Sequence, residues 1–240
     1  MSDALYRTVR FVGRVAFMVS SSPLVIGREN VPALGACIVA ATHHSAYDVP
    51  LLMRHTPRLL DFVSIVEVFR KPLVGWFYRS LNAFPLDRAR PDSKAVRIIL
   101  DRLRRGRAVA MFPEGAIRTG RESVVYSRRI KSGVGRIAHI AQAPVVPCVL
   151  INSQAYRRFT GWLPLRRTRY GVIYGEPLAL SLEPDRLEEQ LVSAFVALHR
   201  QLSARMGLSV DAPSIESSAA YLPSSVSDVP ETRGADVSRN

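Results

Sequence analysis

The apolar positions of this chain fall into two periods. Leu187, Leu191, Phe195, Leu198 and Leu202 recur at intervals of three and four and predict a helix from about Asp185 to Met206 with one apolar stripe. Val96, Ile99, Leu100 and Leu103 predict a shorter helix ending at Gly106, and a further helical stretch runs from Gly133 to Gln142. Between them stand the unbroken apolar runs Ala36–Ala40, Ala108–Phe112 and Val145–Ile151, which read as buried strands. Helices alternating with short apolar strands predict an α/β fold, with a central mostly parallel or mixed sheet flanked by helices.

The two ends of the chain differ from this middle. At about 100° per residue, Leu5, Val9, Val12 and Ala16 fall on one side of an N-terminal helix and Arg7, Arg10 and Arg14 on the other. Residues 1–24 therefore read as a basic amphipathic segment, which either packs on the domain or lies in a membrane interface where arginines meet anionic headgroups. Arginines interrupt its apolar character, and no stretch approaches the roughly 18 apolar residues of a span, so neither a signal peptide nor a transmembrane helix is expected. Beyond Met206 the composition turns to Ser, Ala, Pro, Asp and Val, with too little apolar area to offset ordering entropy. The expected organisation is thus a helical segment at 1–24, a folded domain at 25–207 and a disordered tail at 208–240.

Charge narrows the range of partners. The 240 residues hold 33 Lys+Arg against 20 Asp+Glu, a net of +13. From Met206 onward five acids and two bases give −3, so the body carries +16. Of the 33 bases only Lys71, Lys94 and Lys131 are lysines. Arginine offers a planar two-donor fork that suits phosphate, so a phosphate-bearing partner is indicated. Cys37 and Cys148 each sit inside an apolar run, which excludes a disulfide framework and favours a reducing compartment.

The candidate chemistry begins after the first buried strand, at His43-His44-Ser45-Ala46-Tyr47-Asp48. Ligands of α/β sheets gather at the carboxyl ends of strands. His43 and Asp48, five apart, would diverge by about 140° on a continuous helix, so they meet only if the chain turns between them. Ser45-x-x-Asp48 fits a capping box that makes such a turn. An imidazole there can take a proton from a substrate hydroxyl while the carboxylate holds its tautomer; a plain capping box with two loop histidines is the other reading. Two more blocks follow, Asn82 to Arg88 and Phe112-Pro113-Glu114-Gly115-Ala116-Ile117-Arg118.

Together these blocks resemble the glycerolipid acyltransferase family, whose best-known members act on 1-acylglycerol-3-phosphate (lysophosphatidate). His43 to Asp48 resembles its His-x4-Asp motif, Asn82 to Arg88 its second, Phe112 to Gly115 its third, and Val145-Val146-Pro147 its fourth. The likeness runs from about Val25 to Pro177. Asn82 stands where that family commonly has glycine, and Ala116-Ile117 stand where Thr-Arg often follows. Ala46 replaces a position that is commonly aromatic, beside Tyr47.

The resemblance implies a general base, His43, oriented by Asp48, with Arg88, Glu114, Gly115 and, by extension, Arg118 at the glycerol-phosphate. The acyl group would come from acyl-CoA or acyl carrier protein as co-substrate and pass to a lysophospholipid, with no cofactor and no metal. The expected setting is peripheral, on the cytoplasmic face of an anionic phospholipid membrane. Two other readings stand beside this one: a different acceptor such as lyso-ornithine lipid, and, from another class, a basic nucleic-acid-binding module. The latter lacks a recognition signature and aromatics interleaved with its basic runs, so no nucleic-acid partner is expected.

Overall fold

The computed structural model of the chain describes residues 3–70, 72–86, 93–164, 167–180 and 183–208. Its centre is a seven-stranded mixed sheet: β1 (Ser21–Ile26), β2 (Cys37–Ala41), β3 (Leu60–Ile65), β4 (Ala83–Leu86), β5 (Ala108–Met111), β6 (Val145–Ile151) and β7 (Thr168–Tyr174). Across the sheet the order is β1-β7-β6-β2-β5-β3-β4. Every pairing is parallel except β6 with β7. The parallel centre explains the unbroken apolar runs: β2 is buried at all five positions, because helices cover both of its faces.

Among the described residues, seven α-helices form the two covering layers. On one face lie α1 (Asp3–Ser20), α2 (Asp48–His55) and α3 (Pro72–Ser80), packed over Cys37, Val39, Ala41, Ala108 and Ala110. On the other lie α4 (Ser93–Arg104), the single turn α5 (Val124–Ser127), α6 (Val134–Ala141) and α7 (Pro184–Met206), packed over Ile38, Ala40, Val109 and Val149. The alternation of β2 residues between the two cores is the period-two geometry of a strand. Helix α7 starts on Pro184 and stops at Gly207, whose φ of 67° ends the helix in a left-handed turn. All five residues of its apolar stripe are buried.

Two predicted stripes are rotated from their expected positions. In α4 the buried residues are Ala95, Ile99 and Leu103, while Val96 is 36% exposed. The small Ala95 lets the helix approach the sheet closely, so the buried line runs through it. In α1 the buried apolar residues are Tyr6 and Phe17, with Val9 packed beside them. Val12, expected on the packed side, is 60% exposed, and Phe11, Val15, Met18 and Val19 are exposed with it. Two large aromatics outweigh Leu5 and Val12 in setting which side meets the core. The helix therefore both packs on the domain and presents a second apolar side outward. Among the described residues no helix is long and apolar enough to cross a membrane. Nearly all of the 208–240 segment, from 209 onward, lies outside the described residues.

Candidate active site

Adjacent parallel strands bring the motif residues together. Ala40 of β2 pairs with Met111 of β5, so the carboxyl ends of these strands lie side by side, and their following loops carry His43 and Glu114. On its other side β2 pairs with β6, whose Leu150 N–H donates to Thr42 Oγ1. Three strand ends thus enclose one loop, at the edge of the sheet where α/β folds bind ligands.

Asp48, the first residue of α2 and fully buried, organises that loop. Its Oδ2 accepts three hydrogen bonds: from the backbone N–H of His44 at 2.7 Å, from that of Ser45 at 2.8 Å, and from the His43 ring at Nδ1, 3.0 Å away. The positive end of the α2 dipole also favours a charge there. Its other oxygen, Oδ1, is buried without a partner among the described residues. The expected capping box forms only in part. Asp48 reaches back to Ser45 N–H, but Ser45 Oγ accepts from Tyr47 N–H, and a turn from Ser45 carbonyl to Asp48 N–H comes before the helix. That turn brings the two side chains of His43 and Asp48 together.

The two histidines have different surroundings. The His43 ring is 12% exposed and lies against Phe112, with centroids 4.1 Å apart and planes at 21°. With Nδ1 on Asp48, its Nε2 is left without a protein partner among the described residues. His44 Nδ1 instead lies 3.1 Å from the Leu150 carbonyl, and burial lowers its pKa from the ordinary histidine value. His43 is therefore the ring that combines a carboxylate partner with an open nitrogen, as a general base requires.

Glu114, expected at the acceptor, sits beneath the histidine loop. It is buried, its Oε1 accepting from His43 N–H at 2.8 Å and its Oε2 from Val124 N–H at 3.1 Å. Burial pushes its pKa up to about 7, against the two amides, which pull it down. Gly115 turns the chain at φ 72°, and a side chain there would collide with the stem of Lys131, 2.6 Å away. Arg118 donates its backbone N–H to the His43 carbonyl, while its guanidinium reaches outward to exposed Glu122 at 3.0 Å. Asn82 adopts φ 60°, a left-handed conformation that asparagine tolerates almost as glycine does, and its side-chain amide donates to Asp3 at 2.9 Å. Arg88 lies outside the described residues; β4, the strand before it, runs parallel to β3 and ends at Leu86 on the same edge as His43.

Lys131 is the site residue that sequence reasoning missed. Its N–H donates to the Pro113 carbonyl and its exposed side chain crosses Gly115, which places an ammonium over the Pro113–Gly115 turn. A signal existed: it is one of three lysines in a chain that otherwise uses arginine. Among the described residues no cluster of metal-ligating side chains occurs.

The family model described as Acyltransferase matches residues 22–151. The chain is similar to a 1-acyl-sn-glycerol-3-phosphate acyltransferase of Bacillus subtilis, 28% identical over 155 residues, covering 64% of this chain and 72% of that protein. A protein of the same name in Streptococcus pneumoniae is 27% identical over 150 residues, 60% of this chain and 50% of that one. The lyso-ornithine lipid O-acyltransferase of Pseudomonas aeruginosa is 32% identical over 106 residues, 44% of this chain and 40% of its own length. The fold is similar to that of the crystal structure of the 1-acyl-sn-glycerophosphate (LPA) acyltransferase PlsC from Thermotoga maritima, with a TM-score of 0.62 and 24% identity over 83% of this chain and 80% of that one.

The Glu114 carboxyl makes a stability prediction with a definite sign. A carboxyl whose pKa rises from an ordinary 4.5 to about 7 takes up a proton on folding, so its contribution is complete below 4.5 and declines as pH climbs through 7. The stability margin of the native chain over Glu114→Gln, read by urea unfolding, should be larger at about pH 5 than at about pH 8. A margin that instead grows with pH would mean that the two amides outweigh burial.

Proposed function

This chain belongs to the acyltransferase family, and on that premise we propose that it moves a fatty acyl group from an acyl thioester to the free hydroxyl of 1-acylglycerol-3-phosphate, giving phosphatidate. The observation that carries the reading is the His43–Asp48 pair, with its open Nε2, at the carboxyl ends of β2 and β5. The names of the Bacillus and Streptococcus relatives support the acceptor.

The His43–Asp48 geometry supports a direct transfer. Asp48 accepts a hydrogen bond from the His43 Nδ1–H, so neutral His43 presents the Nε2 lone pair. Nε2 takes the acceptor hydroxyl proton as that oxygen attacks the thioester carbonyl. The new C–O bond forms, the C–S bond breaks, and the imidazolium returns its proton to the leaving thiolate. Asp48 stabilises the imidazolium in between. Acyl-CoA and acyl carrier protein present the same phosphopantetheine thioester, and either fits this step. Lys131 and Arg118 supply the cations for the acceptor phosphate among the described residues, with Arg88 as a third; the exposed Arg118–Glu122 pair is weak enough to exchange for a phosphate. Glu114 and Gly115 act by shaping the loop on which His43 sits.

The acceptor and the product carry acyl chains, so the enzyme must meet a bilayer. The layer holding α1 and α3 exposes Phe11, Val12, Met18 and Val19 from α1 and Leu73 and Trp76 from α3. Phe159 adds to it from a turn that packs on α1. With Arg7 and Arg14 alongside, this face suits the interface of an anionic membrane, approached from the cytoplasmic side, where the buried free thiols Cys37 and Cys148 stay reduced. Phe11→Asp with Met18→Asp should move the protein from the pellet to the supernatant in cosedimentation with phosphatidylglycerol vesicles; unchanged pelleting would remove this face as the docking surface.

Thiol release by the purified chain, with one acyl-CoA and a panel of lysolipids, tests the chemical reading. His43→Ala should cut turnover about 10²- to 10⁴-fold, His44→Ala far less, and Lys131→Met should raise the KM of the phosphate acceptor but not of the donor. An active His43→Ala beside a dead His44→Ala would reverse the assignment. Release with lyso-ornithine lipid alone would move the acceptor, and release with no pair, including the carrier-protein donor, would end the proposal.

A further inference from the structure

A cavity of about 450 Å³ opens at the end of the sheet opposite His43. Ala33, Leu59 and Arg107 bring to it the chain just before the amino ends of β2, β3 and β5, and Arg7, Arg10 and Arg58 complete its wall. β2 alone is five residues long, about 16 Å at roughly 3.3 Å per residue. The cavity is therefore separate from the loop that carries His43 and from any acceptor held there.

Three of its four arginines are held by hydrogen bonds, and the set is under-neutralised. Arg58 donates to three carbonyl oxygens, those of Pro32, Gly35 and Gly106, at 2.9, 2.7 and 2.6 Å. Arg10 donates to the Thr56 carbonyl at 2.7 Å. Neither has a carboxylate partner among the described residues. Arg7, one turn before Arg10 on α1, makes no hydrogen bond among them. Only Arg107 is paired, forking onto buried Asp61 with two bonds of 2.6 Å and reaching Asp3 at 3.3 Å. Asp61 is shared with Arg102, and Asp3 also holds Asn82; Arg7 lies near enough to Asp3 for their charges to attract but forms no ion pair or hydrogen bond with it among the described residues.

We propose that this cavity is a second binding site, for a ligand bearing a phosphate monoester. Three considerations lead there. Guanidinium forks match phosphate oxygens in pairs, and three of the four cations form no ion pair among the described residues. Carbonyl anchoring holds Arg58 in place before a ligand arrives, so little side-chain freedom is lost on binding. The volume of about 450 Å³ falls in the range of small-molecule sites and leaves room beside a phosphate for an attached organic group. That group can be soluble, as in glycerol 3-phosphate, or the headgroup of phosphatidate, since Arg7 and Arg10 share α1 with the exposed Phe11 and Met18. The inference stands on the cavity alone and does not depend on acyl transfer.

The test uses the full chain with two probes. Glycerol 3-phosphate is titrated calorimetrically into the native chain, Arg7→Glu, Arg14→Glu and Lys131→Met. In parallel, vesicles of phosphatidylcholine with phosphatidate are compared with charge-matched vesicles containing phosphatidylglycerol. Arg7 has no protein hydrogen bond to lose, and near-UV circular dichroism checks that Arg7→Glu, which sets a like charge near Asp3, keeps the native fold. Losing a charge-assisted bond and reversing a charge should weaken binding at this site by about tenfold or more. Arg14→Glu, the same charge change outside the cavity, should leave glycerol 3-phosphate binding near native and lower binding to both vesicle compositions alike, since Arg14 lies beside the exposed apolar side of α1. Tight binding of glycerol 3-phosphate that Arg7→Glu weakens and Lys131→Met spares supports a soluble ligand. A preference for phosphatidate vesicles that Arg7→Glu removes and Arg14→Glu does not supports a lipid headgroup. Equal effects of Arg7→Glu and Arg14→Glu on both probes, or soluble binding lost only in Lys131→Met with no phosphatidate preference, would overturn the proposal.

Discussion

The site depends on a single oxygen, Asp48 Oδ2. It accepts from the His44 and Ser45 amides and from the His43 ring, at 2.7 to 3.0 Å, while fully buried. A buried carboxylate is costly unless donors surround it. Here the two amides come from the loop that must turn and the third donor from the side chain that must be aimed, so the same three bonds compensate the charge and set the geometry. Helix α2 begins at this residue, and its dipole adds to the compensation. Glu114 acts from below in a similar way, tying the His43 amide to that of Val124 and so joining the loops after β2 and β5. The Arg118 amide closes the arrangement on the His43 carbonyl.

The surplus of positive charge divides into parts with separate physical roles. Arg107 and Arg102 neutralise buried Asp61 inside the fold. Lys131 and Arg118 stand at the loop beside His43. Arg7, Arg10 and Arg58 gather at the opposite end of the sheet, where backbone carbonyls rather than carboxylates hold the last two. The net charge pointed only to an acidic partner, and the pairing pattern separates arginines that stabilise the chain from those left to meet something else.

Local features were legible in the sequence, and tertiary ones were not. The strand at 145–151, the stripe of α7 and the His43–Asp48 turn could be read because neighbours in sequence determine them. Four strands gave no clear signal for identifiable reasons. β3 carries buried Asp61, tolerable only because Arg107 arrives from 46 residues away, and β7 carries Arg169 and Gly171. β1 begins with Ser-Ser-Pro at the sheet edge, and β4 is four residues long. Val96 and Ala95 exchanged roles because hydrophobicity alone favours the larger residue, whereas close approach to a sheet favours the smaller. At Asn82 the sequence showed a departure from glycine, and only the backbone φ of 60° shows that the left-handed conformation is kept. The rarity of lysine marked Lys131, but its place at the site could not be read, because its contact with Gly115 spans sixteen positions and follows from the fold.

The most direct test of the central claim separates the charge of Asp48 from its geometry. Since Oδ1 has no partner among the described residues, Asp48→Asn can leave its oxygen facing all three donors and turn its amide toward the unpartnered side. The loop is then kept and the negative charge lost. With folding checked by near-UV circular dichroism, kcat for acceptor-dependent thiol release should fall about 10²- to 10⁴-fold, because the imidazolium has lost its counter-charge while the KM for the acceptor stays near that of the native chain. A folded Asp48→Asn protein that turns over at close to the native rate would contradict the account, since His43 would then be working without the carboxylate that defines the site.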